Sequence, residues 1–190
     1  MLIATAQREM RSAFLGGFVG QLLAGLIWAA SAAVSTWGSR SYGMVLLFFA
    51  SMLLFPLTQL VLRALGRPAR LSRENTLGQL ATQIAFTVPI NFLLVAAATL
   101  YRDAWFYPAA MIVVGAHYLP FIFLYGMWHF GVLGGLMIAG GTAGGLYGPD
   151  VFSLGGWLSA LVLIAFAIVG RQVVLREEGR ALRHGARACM

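Results

Sequence analysis

Apolar residues run through this chain in long, nearly unbroken stretches, separated by short clusters of arginine, glycine and proline. Stretches of about 20 apolar residues match the ~30 Å hydrocarbon core of a bilayer at a helical rise of ~1.5 Å per residue. The pattern predicts six such helices, at 12–36, 43–62, 76–100, 108–128, 130–147 and 154–174, followed by a basic tail at 175–190. Pro108 to Gly148 carries no acid, lysine or arginine, yet as one helix it would measure roughly 60 Å, about twice the core. It has to turn, and Gly126 and Gly131 flank the expected break near Trp128 and His129. Pro56 falls inside the second span, where neighbouring helices can satisfy the freed carbonyl. Pro89 is expected to bend the third, and Ser72 or Asn75 to cap its start. The expected fold class is therefore all-α, a polytopic transmembrane helical bundle forming one domain.

Composition agrees, with 60% hydrophobic and 10% charged residues against soluble averages of roughly 45–50% and 25%. The first apolar run follows Arg8 and Arg11 as a signal peptide would, but 12–36 exceeds the usual ~7–15-residue core, so a retained first span is expected. The net charge of +7 comes from 13 arginines, with no lysine, against six acids. With six spans, the N-terminus, the loop holding Arg63, Arg67, Arg70 and Arg73, the turn near His129 and the tail share one side. Only Arg40 and Arg102 fall opposite. Arginine excess marks the cytoplasmic side, so both termini are expected there. Arginines confined to span ends point to orientation and lipid headgroups rather than nucleic acid. Arg176, Arg180, Arg183 and Arg187 share a helical face, giving an expected contact with anionic lipid, the alternative being a solvated extension that only enforces orientation.

Several chemistries are excluded or weakened. Without lysine there is no Schiff base, and Cys189 alone permits neither an internal disulfide nor a cysteine-rich metal centre. No acid lies within any span, which argues against a proton pump built on membrane carboxylates. No cofactor or metal is expected.

The polar residues inside the spans are the candidate chemistry. Gln79, Gln83, Thr87 and Asn91 recur every fourth residue, a slowly winding stripe roughly 18 Å long. It could line a path for a small polar solute, with Gln21, Gln59 and His117 contributing from neighbouring spans, or it could supply interhelical hydrogen bonds at only ~0.6 kcal/mol each. His117, far from any carboxylate, is expected to be neutral and to bond either to this stripe or to the carbonyl freed upstream of Pro120. Separate axial haem ligation by His117 and His129 is an alternative. Gly16 with Gly20, Gly131 with Gly135, Gly140 with Gly144, and Gly141 with Gly145 have the small-xxx-small spacing of close helix packing, within the monomer or across a homo-oligomer.

The runs GMVLLFFASMLLFPLTQLVLRALGRP, ENTLGQLA, LYRDAWFYPAAMIVVGAHYLPF and LYGM resemble an uncharacterised family of small bacterial membrane proteins, a domain of unknown function. Leu65 to Pro68, Trp105 to Ala109 and Gly115 to Phe121 are the most specific pieces. In that family an arginine commonly stands where this chain has His117. The resemblance implies a bacterial integral membrane protein and carries no activity; the expected location is the bacterial inner membrane. The leading functional expectation is a small transporter or channel-like protein for a neutral or weakly polar solute. The alternatives are a membrane assembly protein acting through its glycine faces and basic tail, and a haem protein or enzyme using His117 or His129.

Overall fold

The structure, a computed structural model, describes residues 1–188, with side chains described through Arg180. Among these residues there is no strand. Five helices are long and apolar enough to cross a membrane, and a bent pair makes up to six.

Helix α1 (Ile3–Phe14) buries Ala6, Met10 and Ala13 along one face. It ends where Leu15, Gly16 and Gly17 all take positive φ, at 50°, 60° and 81°. The expected continuous span 12–36 is therefore broken. A glycine pair tolerates left-handed backbone at little cost, and α2 (Phe18–Trp37) departs from it in a new direction. At 20 residues, α2 alone reaches about 30 Å, which leaves α1 at the end of the bundle rather than within a span.

The second span is α3 (Arg40–Met52) followed by α4 (Leu54–Ala64), bent by 55° at Leu53. Pro56 sits in the first turn of α4, where its missing N–H and ring disfavour continuation of α3. The pair nevertheless joins opposite ends of the bundle. Arg40 bonds Asp103 at 3.0 Å and stacks over Phe152 at 5.1 Å, beside the start of the last helix, whereas Arg67, just past α4, bonds Glu178 at 2.7 Å far along it. The bent pair thus runs between the two ends of the bundle, long and apolar enough together to count as a sixth crossing if it is one span.

Helix α5 (Leu77–Tyr101) continues through Pro89, and its start is fixed by Asn75, whose Oδ1 accepts the Leu77 N–H at 3.1 Å. The fourth span is more broken than expected. It comprises α6 (Phe106–Tyr118), a turn at Leu119–Pro120 and the short α7 (Phe121–Tyr125). Gly126, at φ 64°, then turns the chain into α8 (His129–Tyr147). Helix α9 (Leu154–Ala188) runs on beyond the expected 154–174 as one helix.

Helices α2 and α9 pack antiparallel. A Cβ on Gly16 would meet Val174 at 2.7 Å, one on Gly25 would meet Ile164 at 2.6 Å, and one on Gly156 would meet Ala32 at 2.9 Å. Helices α6 and α8 approach as closely, since a Cβ on Gly115 would lie 2.8 Å from the Gly134 carbonyl and one on Gly134 would lie 2.7 Å from the Gly115 carbonyl.

The arginine-rich end is tied together by side chains. Gln7 Nε2 donates to the Phe123 carbonyl at 2.6 Å and Arg11 donates to the Tyr125 carbonyl at 2.6 Å. Both carbonyls belong to the last turn of α7, whose acceptors have no partner within their own helix. Arg11 also pairs with Glu177 at 2.8 Å, and Glu9 accepts from the Ser72 backbone at 2.6 Å and from Asn75 at 2.8 Å. Arg67 holds Glu178 with two nitrogens, at 2.7 and 3.1 Å, and this carboxylate raises the already high pKa of its guanidinium further. The N-terminal helix, the arginine loop, the α7–α8 turn and the α9 extension therefore share one end, as the counting of spans requires. Exposed aromatic side chains at Trp37, Tyr42, Tyr101 and Tyr147 mark the other, the placement of an interface belt.

Candidate functional site: a buried polar column

The polar residues singled out from the sequence do not converge. Gln79, Gln83 and Thr87 are exposed on the outer face of α5, and Asn91 is half-buried. Gln79 and Gln83 line an open groove of about 370 Å³ with Ile3, Leu80 and Phe123, between α1, α5 and α7. Thr87 donates to the carbonyl of Ile84 at 2.6 Å. Gln59 is half-buried on α4.

His117 joins α6 to α5, with its Nδ1 3.1 Å from the Ile84 carbonyl. A carbonyl only accepts, so Nδ1 carries the hydrogen. The partner is backbone rather than a stripe side chain. The carbonyl left by Pro120, that of Ala116, is taken by the Leu119 N–H at 3.2 Å. Rings of Tyr118 and Phe121 flank His117 at 5.7 and 5.0 Å. Among the described residues, neither His117 nor His129 belongs to a group of three side chains able to hold a metal.

Gln21 is different. It is 2% exposed, and among the described residues neither Nε2 nor Oε1 has a hydrogen-bond partner. Leaving a buried polar group unpaired costs about 1–3 kcal/mol. Gln21 lies on α2 between Gly17, the left-handed residue that precedes the helix, and Gly25, one turn further on. A Cβ on Gly17 would meet Phe130 at 3.3 Å and Tyr125 at 3.8 Å, and Gly25 faces Ile164. The amide is thus buried where α2 meets α9 and the start of α8.

Two more unpartnered groups lie on the same inner faces. His129 Nε2 is buried at the start of α8, facing Gly170 near the Gly16 carbonyl, with its ring stacked on Phe130 at 4.4 Å. Ser159 Oγ is fully buried on α9, between the levels at which Gly25 and Ala32 meet that helix. Beyond Ser159 the polar groups are paired. Ser31 donates to the Gly43 carbonyl at 2.8 Å, which commits its only hydrogen. The Tyr107 hydroxyl, 2.7 Å away, must therefore donate to Ser31, and Ser35, at 2.9 Å, must donate to Tyr107. Thr36 then meets Ser153 at 2.8 Å and accepts from Trp157 at 3.2 Å.

Taken in order along α2 and α9, His129, Gln21, Ser159, the Ser31–Tyr107–Ser35 relay and Thr36–Ser153 follow one another over about the length of α2, roughly 30 Å, a column in which hydrogen bonds join Ser31, Tyr107 and Ser35, and Thr36 with Ser153. Near its far end a cavity of about 90 Å³ includes Met111 and Gly155, the neighbours of Tyr107, and carries the Arg102–Asp150 pair at its rim. No side chain in the column is a carboxylate, lysine or arginine.

Sequence reading placed Gln21 with the α5 stripe and missed Ser31, Ser35, Tyr107, His129 as a column member, and Ser159. One signal was available: Gln21, Trp28 and Ser35 repeat every seventh residue, which keeps them on one helical face.

A model of one protein family matches residues 3–172. The chain belongs to that family, a family of unknown function (DUF7010). No curated protein and no solved structure matches this DUF7010 chain.

The expected packing glycines divide. Gly16 lies in the break after α1 rather than on a helix, although its Cα approaches Val174. Gly20 faces Thr58 at ordinary distance, Gly131 faces Ile122, Gly140 faces Met111, and Gly141 and Gly145 face Pro108. Gly135 and Gly144 face open space. The tightest approach of α8 uses Gly134 and Gly141, seven residues apart, because the buried seam winds with the helix. In the tail, Arg176 and Arg180 are exposed, while the side chains of Arg183 and Arg187 lie outside the described residues.

Proposed function

We propose that this membrane protein binds, and passes across the bilayer, a small uncharged polar solute along the column centred on Gln21. The observation that carries the proposal is the buried amide with both of its polar atoms free. A group that costs about 1–3 kcal/mol unpaired, with the unpartnered His129 Nε2 and Ser159 Oγ before and after it in the column, is best explained by a solute or water that pairs with it. Discontinuous helices around the column, at Leu15–Gly17, Leu119–Pro120 and Gly126–Trp128, support the same reading, since broken helices form substrate sites in many transporters.

Thiol access tests it. In a Cys189→Ser background reconstituted in liposomes, methyl methanethiosulfonate, small and neutral, is expected to modify Ser159→Cys roughly tenfold faster than Leu62→Cys, equivalent to ~1.4 kcal/mol in barrier. Both positions are fully buried, and Leu62 lies on α4 in a separate apolar cluster with Leu15, Val19 and Ala69, so equal rates would mean that general breathing, not a pathway, admits the reagent. In the same background, the arginine-rich end is proposed to face the cytoplasm. An impermeant reagent on intact cells should then label Ser39→Cys and spare Ser72→Cys.

A second reading, a membrane assembly role, is favoured by Gln79 and Gln83 on the exposed face of α5. Amides facing lipid gain from a partner helix, and cross-linking of Gln83→Cys between copies or to another protein would support it.

A further inference from the structure

The chemistry of the column narrows the solute, and the inference rests on the function proposed above. The carboxylates and arginines of the described residues sit at the bundle's two ends, where the ion pairs Arg11–Glu177, Arg67–Glu178, Arg40–Asp103 and Arg102–Asp150 are formed. Between them the column offers one carboxamide, hydroxyls and an imidazole. An ion entering it would lose its hydration with no opposite charge to compensate. The solute is therefore neutral.

Gln21 narrows it further. Its Oε1 accepts and its Nε2 donates, in one plane, and neither is used among the described residues. A partner that satisfies both at once with two parallel hydrogen bonds holds a donor and an acceptor on neighbouring positions of a rigid plane. A carboxamide or a urea has that arrangement. A polyol does not, because its hydroxyls sit on separate carbons and rotate independently. The rings of Phe130 and Tyr125, which face Gly17 four residues before Gln21, offer flat surfaces to a planar group. We infer that Gln21 is the specificity-determining residue for small planar amides, with urea the simplest member of the class.

Stopped-flow light scattering on proteoliposomes separates the outcomes, with urea, glycerol and water as the probes. Urea equilibration is expected to be roughly tenfold faster with the protein than in empty vesicles, and glycerol to change by less than about twofold, rate ratios that correspond to one hydrogen bond gained or not gained. Gln21→Met, of similar volume and without donor or acceptor, should return urea to the empty-vesicle rate while keeping its melting temperature, because it removes an unpaired buried group. Gln21→Asn, which keeps the amide on a shorter stem, should retain part of the urea flux, and this variant decides the matter if the methionine protein does not fold. Equal acceleration of urea and glycerol, both lost in Gln21→Met, would overturn the amide specificity and leave the uncharged-solute pathway standing. Acceleration of water alone, or urea flux unchanged by Gln21→Met, would overturn the role given to Gln21. No acceleration of any probe, together with an inert Ser159→Cys, would overturn both the specificity and the pathway.

Discussion

Gly134→Ala and Gly141→Ala should each destabilise the protein by about 1–3 kcal/mol, the usual cost of overpacking, while Gly135→Ala and Gly144→Ala should leave it unchanged or stabilise it by up to about 1 kcal/mol. A methyl group at Gly134 would lie 2.7 Å from the Gly115 carbonyl, and one at Gly141 would lie 2.6 Å from the Pro108 carbonyl. Both obstacles are backbone, so relief requires α6 and α8 to move apart along their whole contact. At Gly135 and Gly144 a methyl group meets nothing within 4 Å, and only the helix-propensity gain remains. The measurement is unfolding in mixed micelles of rising SDS content. Equal losses at all four positions would mean that the outer face of α8 is also packed, as it would be in an oligomer.

Arg11→Met should cost about 1.5–3 kcal/mol, the range for hydrogen bonds involving a charged group, whereas Arg40→Met should cost less than about 1 kcal/mol. The two arginines each bond one carboxylate, but their surroundings differ. The Arg11 side chain is 14% exposed and also donates to the Tyr125 carbonyl, next to the left-handed Gly126 that ends α7. Removing it leaves the Tyr125 carbonyl without this partner and frees one edge of α1. The Arg40 and Asp103 side chains are 58% and 50% exposed, where water replaces the pair at little loss. Unfolding in the same mixed micelles measures both. A loss for Arg11→Met as small as that for Arg40→Met would show that α7 does not depend on Arg11 for its capping.

The contrast between these two arginines also shows what could be read from the sequence. Which arginines share an end follows from apolar stretch lengths and the counting of spans, both local properties of the chain, and the ion pairs of Arg11 and Arg67 with the α9 extension agree with it. The breaks were harder to see. Gly16 beside Gly17 reads equally as a packing surface or as a left-handed turn, and only the surrounding helices decide. The same holds for Pro56, tolerated in a span or marking its bend. The α5 stripe was visible because its four-residue spacing is a local pattern, but which way that face turns depends on how α5 packs. The column had the opposite problem. Gln21, His129, Ser159 and Tyr107 come from four separate helices, and their alignment depends on the antiparallel register of α2 with α9 and on the crossing of α6 with α8. Nothing in a single stretch carries that information.

The two polar features make opposite demands on one experiment. If solute passes through the centre of the bundle, the amide that matters is Gln21. If it passes along the outer groove, the amide that matters is Gln83. Urea flux into proteoliposomes of Gln21→Met and Gln83→Leu, prepared at equal protein content, compares them directly. The account predicts that Gln21→Met falls to the rate of empty vesicles and Gln83→Leu keeps the rate of the unmodified protein. Loss of flux in Gln83→Leu with full flux in Gln21→Met would contradict it.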